Sequence, residues 1–171
     1  MRIYVTGSVG SGKSTYARRL SQRTGIPCVH LDEVVYEPDA SAFWGNRKRP
    51  VQERDARFAA VIARESWIIE DAGRACFEEG MAQADRILVL DYPLPLRQWR
   101  IIRRWVRQRL GLEKSLYRPR LKMLRLMLRW ARDFDDRTDG ARRRIARYED
   151  KVIRFTAPKA AQAYAKGEMK T

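Results

Sequence analysis

Five short apolar runs punctuate the chain, and most are followed by a stretch with helical periodicity. The first, Ile3-Tyr4-Val5 ending in Thr6, is apolar on consecutive positions, as a strand buried on both faces should be. After a Gly-rich turn, "KSTYARRLSQRTG" places Tyr16, Ala17 and Leu20 on one helical face, with Gly25 as the C-terminal stop. "IPCVHLD" predicts a second short strand ending at Asp32. Residues 36 to 50 hold Pro38, Gly45, Pro50 and several polar side chains, which predicts a loop. In "PVQERDARFAAVIARE", Val51, Arg54, Phe58, Val61 and Ile62 recur at helical spacing behind Pro50. "SWIIE" predicts a third strand, "ACFEEGMAQAD" a helix, and "RILVLD" a fourth strand closed by Asp91. "ARRRIARYED" predicts a helix, "KVIRFTA" a fifth strand, and "PKAAQAYAKG" a last helix opened by Pro158. Strands alternating with helices predict an α/β sandwich around a mainly parallel sheet. Ligands of such sheets sit at the carboxyl ends of the strands, where the Gly-rich turn, Asp32, Glu70 and Asp91 all fall.

Between the fourth strand and "ARRRIARYED" the pattern changes. Pro93 and Pro95 interrupt the chain, and two amphipathic segments follow. In the first, Trp99, Ile102, Val106 and Leu110 form a stripe against Arg100, Arg104 and Arg107. Gly111 and Pro119 bracket a break. In the second, Leu121, Leu124 and Leu128 face one way while Lys122, Arg125, Arg129 and Arg132 line another face. The expectation is a helical hairpin inserted into a single domain spanning 1–171, with residues 97–137 as the insert. The three tryptophans at 99, 105 and 130 are placed as core residues of these helices.

Charge sharpens that division. Of the formal net charge of +15, residues 97–132 carry thirteen Lys/Arg (Arg97, Arg100, Arg103, Arg104, Arg107, Arg109, Lys114, Arg118, Arg120, Lys122, Arg125, Arg129, Arg132) against one acid, Glu113. The other 23 bases are nearly balanced by 20 acids. A near-neutral domain thus carries one intensely basic insert, and so many like charges call for an anionic partner.

Composition excludes other classes. No apolar run approaches the roughly 18 residues a membrane span needs, so no membrane partner is expected. Met1 leads directly into the first strand, so no leader peptide is expected. Cys28 and Cys76 lie far apart without metal spacing, and with one histidine a structural zinc site has too few ligands. Reduced thiols and a cytoplasmic location are the expectation.

The candidate chemistry begins at "GSVGSGKS". Gly7, four residues, then Gly12-Lys13-Ser14 match the phosphate-cradling pattern G-x-x-x-x-G-K-[ST], between a strand and a helix. Gly7, Ser8, Val9, Gly10, Ser11, Gly12, Lys13, Ser14 and Thr15 are the expected nucleotide-binding residues. Glycines let the backbone aim successive N–H groups at an anion, and the following helix N-terminus adds its partial positive charge. Lys13 reaches terminal phosphates and Ser14 ligates Mg²⁺ in such a loop.

Further motifs resemble those of adenylate-kinase-type nucleotide kinases. "EDAGR", residues 70–74, looks like their D-G-x-P-R element, with Glu70 at the acid position and Arg74 at the arginine position. Arg100 and Arg104, nine and thirteen residues after Asp91, match the spacing of two arginines that bracket phosphates there. "DDRTDGARRRIARYED" is similar to the segment that closes the lid, with Asp135, Asp136, Arg142, Arg144 and Tyr148 in register. "HLD" at 30–32, "WIIE" at 67–70 and "LDYP" at 90–93 resemble more closely a bacterial group called DNA topology modulation proteins. That resemblance implies a P-loop NTPase three-layer sandwich with a five-stranded parallel sheet in the order 2-3-1-4-5. The group's usual Asp-Gly after "WII" is Glu70-Asp71 here, which leaves both carboxylates as candidates. The arginine that grips the acceptor nucleotide in the adenylate-kinase type has no counterpart, since residue 35 is Val and residue 36 is Tyr.

The resemblance implies ATP and Mg²⁺ as cofactors. The residues expected to carry phosphoryl transfer are Lys13, Arg100, Arg104 and Arg144, with Asp32 as acceptor binder or general base. Ser14 with Glu70 or Asp71 is the expected metal set. The partners are a nucleoside triphosphate and an unidentified phosphate acceptor. The alternative is an ATP-dependent regulator whose residues 97–132 grip nucleic acid.

Overall fold

The central strand, β1 (Arg2–Gly7), is buried along nearly its whole length because it is flanked on both edges and covered on both faces. The structure is a computed structural model and describes residues 1–113, 115, 119–135 and 140–167. Strand β1 pairs in parallel with β5 (Trp67–Asp71) and β6 (Arg86–Leu90), in register Ile3–Ile68 and Ile3–Arg86. Outside them lie β2 (Cys28–His30) and β7 (Val152–Phe155), also parallel. The sheet order is β2-β5-β1-β6-β7. Two further strands, β3 (Tyr36–Pro38) and β4 (Asn46–Lys48), form a separate antiparallel hairpin. Counting only the strands of the main sheet, the order is the expected 2-3-1-4-5.

Each face of the sheet has its own core. On one side Tyr16, Ala17 and Leu20 of α1 (Lys13–Thr24) pack with Ala161 of α8 (Pro158–Lys166) against Ile3, Val5, Ile68, Leu88 and Leu90. On the other, α2 (Leu31–Val35), α3 (Val51–Ile62), α4 (Glu78–Gln83) and α7 (Ala141–Ile145) cover Tyr4, Trp67, Ile69, Ile87 and Val89. The alternation of neighbouring strand residues between these clusters is the pleat of a sheet buried on both sides. Gly25 ends α1 in the left-handed conformation (φ 72°), as the sequence predicts.

Several expectations need correction. The second strand ends at His30, and Asp32 lies in the first turn of α2. The predicted loop over 36–50 contains the β3–β4 hairpin; Pro38 is tolerated because two strands alone are both edges. Pro93 and Pro95 do not hold the insert apart from the strand, because α5 (Leu94–Arg109) starts at once with Pro95 in its first turn.

The largest correction is the orientation of the helical hairpin, α5 and α6 (Leu121–Asp135). The buried face of α5 is Arg97 and Ile101, and that of α6 is Met123, Met127, Ala131 and Phe134. The stripe expected to be core is outside: Trp99 is 55% exposed and Leu110 66%, with Ile102 and Val106 exposed beside them. Trp130 is exposed and Trp105 half-buried. Leu121 is exposed, while Leu124 and Leu128 are half-buried. Ile101, Met123, Met127 and Ala131 instead form a third core, against which Val9 and Trp44 pack.

Candidate functional site

The Gly-rich turn emerges from the carboxyl end of β1 and runs straight into α1. Its glycines meet specific neighbours. A Cβ on Gly7 (φ +149°) would lie 2.6 Å from the Leu90 carbonyl oxygen. One on Gly10 (φ +80°) would lie 2.5 Å from the Arg97 carbonyl oxygen. Only glycine lets the loop nest against α5 in that backbone conformation. The Ser8 and Ser11 hydroxyls are buried within the loop without a hydrogen-bond partner. Buried hydroxyls without partners are costly, and an anion seated in the loop is the ligand they fit.

Glu70, at the carboxyl end of β5, organises the floor of the site. Its Oε1 lies 3.6 Å from Lys13 Nζ and its Oε2 2.8 Å from His30 Nδ1. The Ser14 side chain also hydrogen-bonds to it. Burial alone would raise the Glu70 pKa, but Lys13, His30 and Ser14 outweigh it and hold the carboxyl below its ordinary value. The histidine tautomer follows from its other neighbour. Arg18 Nε–H donates to His30 Nε2 at 3.2 Å, so the ring proton sits on Nδ1 and is donated to Glu70. In the sequence His30 is marked only as part of the predicted second strand, yet its ring bonds the site's central carboxylate. The signal was available in its place one residue past Val29 at a strand end.

Asp71 points to the opposite face of the sheet, as the next residue of a strand must. Its Oδ2 accepts hydrogen bonds from Gly73 N at 2.7 Å, Arg74 N at 2.6 Å and the Tyr4 hydroxyl at 3.2 Å. Its Oδ1 accepts from Arg74 Nη1. Asp71 therefore builds the turn after β5, away from the Lys13 and Ser14 that Glu70 contacts. The other amine of Arg74 pairs with Asp32. Burial would lower the Arg74 pKa, but the charges of Asp71 and Asp32 raise it above its ordinary value. One guanidinium thus ties the end of β5 to the start of α2.

The arginines separate by role. Arg100 donates to the Ser11 carbonyl oxygen at 2.8 Å and lies over the Tyr92 ring at 5.2 Å. Arg104 contacts the sulfur of Met127 at 3.5 Å. Both line an open groove of about 950 Å³ beside the loop, with Gly12, Thr15, Arg103 and Arg107. Arg144 is elsewhere: its Nε and Nη2 donate to the Gly73 carbonyl oxygen at 2.9 and 2.6 Å. Arg142 chelates Asp91 at 2.9 and 2.7 Å, and Asp136 lies outside the described residues. Arg97, counted from sequence among the charges of the insert, is 1% exposed. It donates to the Tyr92 and Ala131 carbonyls at 2.7 and 2.9 Å and pairs with Asp135, joining the turn after β6 to α5 and α6.

Solved structures share this architecture. A shikimate kinase from Acinetobacter baumannii superposes with a TM-score of 0.58 at 20% identity, over 98% of this chain and 89% of that one. The fold is that of the P-loop kinases. A shikimate kinase from Bacteroides thetaiotaomicron gives 0.57 at 15% identity, over 98% and 96% of the two chains. A gluconokinase from Sinorhizobium meliloti 1021 gives 0.51 at 15% identity, over 96% and 87%. At such identities the likeness establishes the fold, and the chemistry must be argued from the site. No family model and no curated protein matches the sequence. The likeness to DNA topology modulation proteins rests on sequence motifs alone.

The residues present fit a P-loop nucleotide site. The loop offers two unpartnered hydroxyls, a lysine and a helix N-terminus. For Mg²⁺ the residues that could serve are the Ser14 hydroxyl and the adjacent Glu70 carboxylate, whereas Asp71 is turned to the opposite face and bonds the turn after β5. Among the described residues no three His, Cys, Asp or Glu side chains could hold a metal by themselves. Mg²⁺ usually takes one or two protein oxygens and completes its shell with phosphates and water.

Proposed function

We propose that this protein is a kinase that transfers the γ-phosphoryl group of ATP to the hydroxyl of a small-molecule acceptor. The observation that carries the reading is the Lys13–Glu70–Ser14 contact, set under a Gly-rich loop with two unpartnered buried hydroxyls. The P-loop kinase fold supports it. The loop backbone and Lys13 would hold the β- and γ-phosphates, with Ser8 and Ser11 adding hydroxyl donors. Glu70 holds Lys13 in place until the phosphates compete for its charge. Arg100, anchored on the loop, and Arg104 would neutralise charge on the transferred group from the α5 side. Ser14 and Glu70 would hold Mg²⁺, which neutralises phosphate charge in such sites.

Asp32 is the acceptor-side residue. It is the more exposed member of its pair with Arg74, so one side of the carboxylate is open to an incoming hydroxyl. Held there by Arg74, it would orient that hydroxyl and take its proton as the new P–O bond forms. In the described geometry Arg144 braces the Gly73 carbonyl; its proposed part in transfer requires it to leave that oxygen for the phosphate. The test is transfer from labelled ATP with Mg²⁺ to a panel of hydroxylated metabolites, nucleosides and nucleoside monophosphates. A labelled acceptor that disappears in Lys13→Ala is the expected result. Unchanged Mg-ATP affinity in a folded Lys13→Ala protein would overturn the reading.

A further inference from the structure

The outer face of α5 has no partner among the described residues, and its chemistry is specific. Trp99, Ile102, Val106 and Leu110 recur at helical spacing on the side opposite the buried Arg97 and Ile101. Leu112, just past the end of α5, is also exposed. Arg103 and Arg109 are exposed along the flanks of the stripe, and Arg103 lies over the Trp99 ring at 5.3 Å. On α6, Lys122, Arg125, Arg129 and Arg132 make an exposed basic face. Among the described residues no carboxylate pairs with any of these six bases, and Glu113 is taken by Arg107.

We infer that the α5 face docks this protein onto a membrane surface carrying anionic lipid headgroups. An apolar stripe headed by tryptophan and bordered by arginine is the pattern of a helix lying in the plane of a bilayer interface. Hydrocarbon side chains gain by entering the acyl boundary, while the arginines meet lipid phosphates and carboxylates. Charge disfavours the other occupants. A second copy would set Arg103 and Arg109 against the same basic hairpin without a free acid to meet them. A phosphodiester backbone would satisfy the arginines but leave Ile102, Val106 and Leu110 against charge. The sequence-based expectation of no membrane partner concerned spanning segments, and lying on a surface needs none. Arg100 and Arg104 line the groove beside the loop, and Arg103 stands at its rim, so docking through the outer face would run along one edge of that groove.

The test is co-sedimentation of the full chain with vesicles of phosphatidylcholine alone and of phosphatidylcholine with phosphatidylserine. Binding to the mixed vesicles and not to the neutral ones is expected. Ile102→Ser/Val106→Ser should weaken it about tenfold or more, with the melting transition retained. In the wild type, brominated acyl chains should quench tryptophan fluorescence, and Trp99→Phe should lose most of that quenching. Three results would overturn the inference. One is vesicle binding that the double variant leaves unchanged, which would mean charge alone. Another is no vesicle binding but self-association abolished by the double variant. The third is no vesicle binding but salt-steep binding of duplex DNA. None of these measurements involves phosphoryl transfer, so its outcome is separable from that of the kinase reading.

Discussion

Glu70 shows how one residue is set by its neighbours. It lies almost out of water, where a lone carboxylate would take up a proton, yet three donors keep it ionised. His30 is the donor with no other evident task, since Arg18 consumes its second nitrogen. His30→Ala is expected to weaken Mg²⁺-dependent nucleotide binding by about tenfold while sparing metal-free binding, as loss of an orienting partner does. Calorimetric titration with and without Mg²⁺ checks this. Neighbouring residues can have opposite fates: Glu70 faces the loop, Asp71 the turn. From sequence the two carboxylates were equivalent candidates, because a strand's pleat is visible in sequence but its facing partners are not.

At the scale of elements, the loop and α5 are one construction. Gly10 nests on the Arg97 carbonyl while the Arg97 side chain reaches Tyr92, Ala131 and Asp135. Gly10→Ala adds a side chain where the backbone has positive φ and no room. It is expected to cost roughly 1–3 kcal/mol and most of the nucleotide affinity. Arg97→Ala takes the guanidinium donor from two buried carbonyls and leaves Asp135 with Arg142 as its cation, and should cost about 3 kcal/mol. Thermal or denaturant melts check both. The orientation of α5 could not be read from its pattern, because apolar residues normally mark the inward face. Here an arginine with each of its three guanidinium nitrogens hydrogen-bonded occupies that face, and the apolar stripe is left outside. The amphipathic period was legible in the sequence; which side faced the protein depended on the Arg97 network.

For the whole molecule, the concentration of positive charge on one hairpin predicts a salt response. Self-repulsion among these bases is screened as ionic strength rises, so the melting temperature should increase with added salt over the low-salt range. Melts in rising sodium chloride test it, and a fall would mean that attractive pairs dominate. Acid acts through Glu70. Its folded pKa lies below the ordinary value of 4.5, so its contribution to stability is complete above about pH 4.5 and is lost as pH falls through the folded pKa. Glu70→Gln should flatten that part of an acid-unfolding curve measured by circular dichroism.

The sequence alone determined the α/β alternation, the parallel sheet and the Gly-rich loop between the first strand and helix. Those depend on local period and on residues with special backbone freedom, which neighbours along the chain already specify. It also located the concentration of basic residues, because charge is countable without coordinates. Tertiary structure decided which carboxylate faces Lys13, that His30 donates to it, that Arg74 ties Asp71 to Asp32, and which side of α5 looks outward. Each of these depends on contacts between segments distant in the chain, where direction and burial are fixed by packing rather than by residue type.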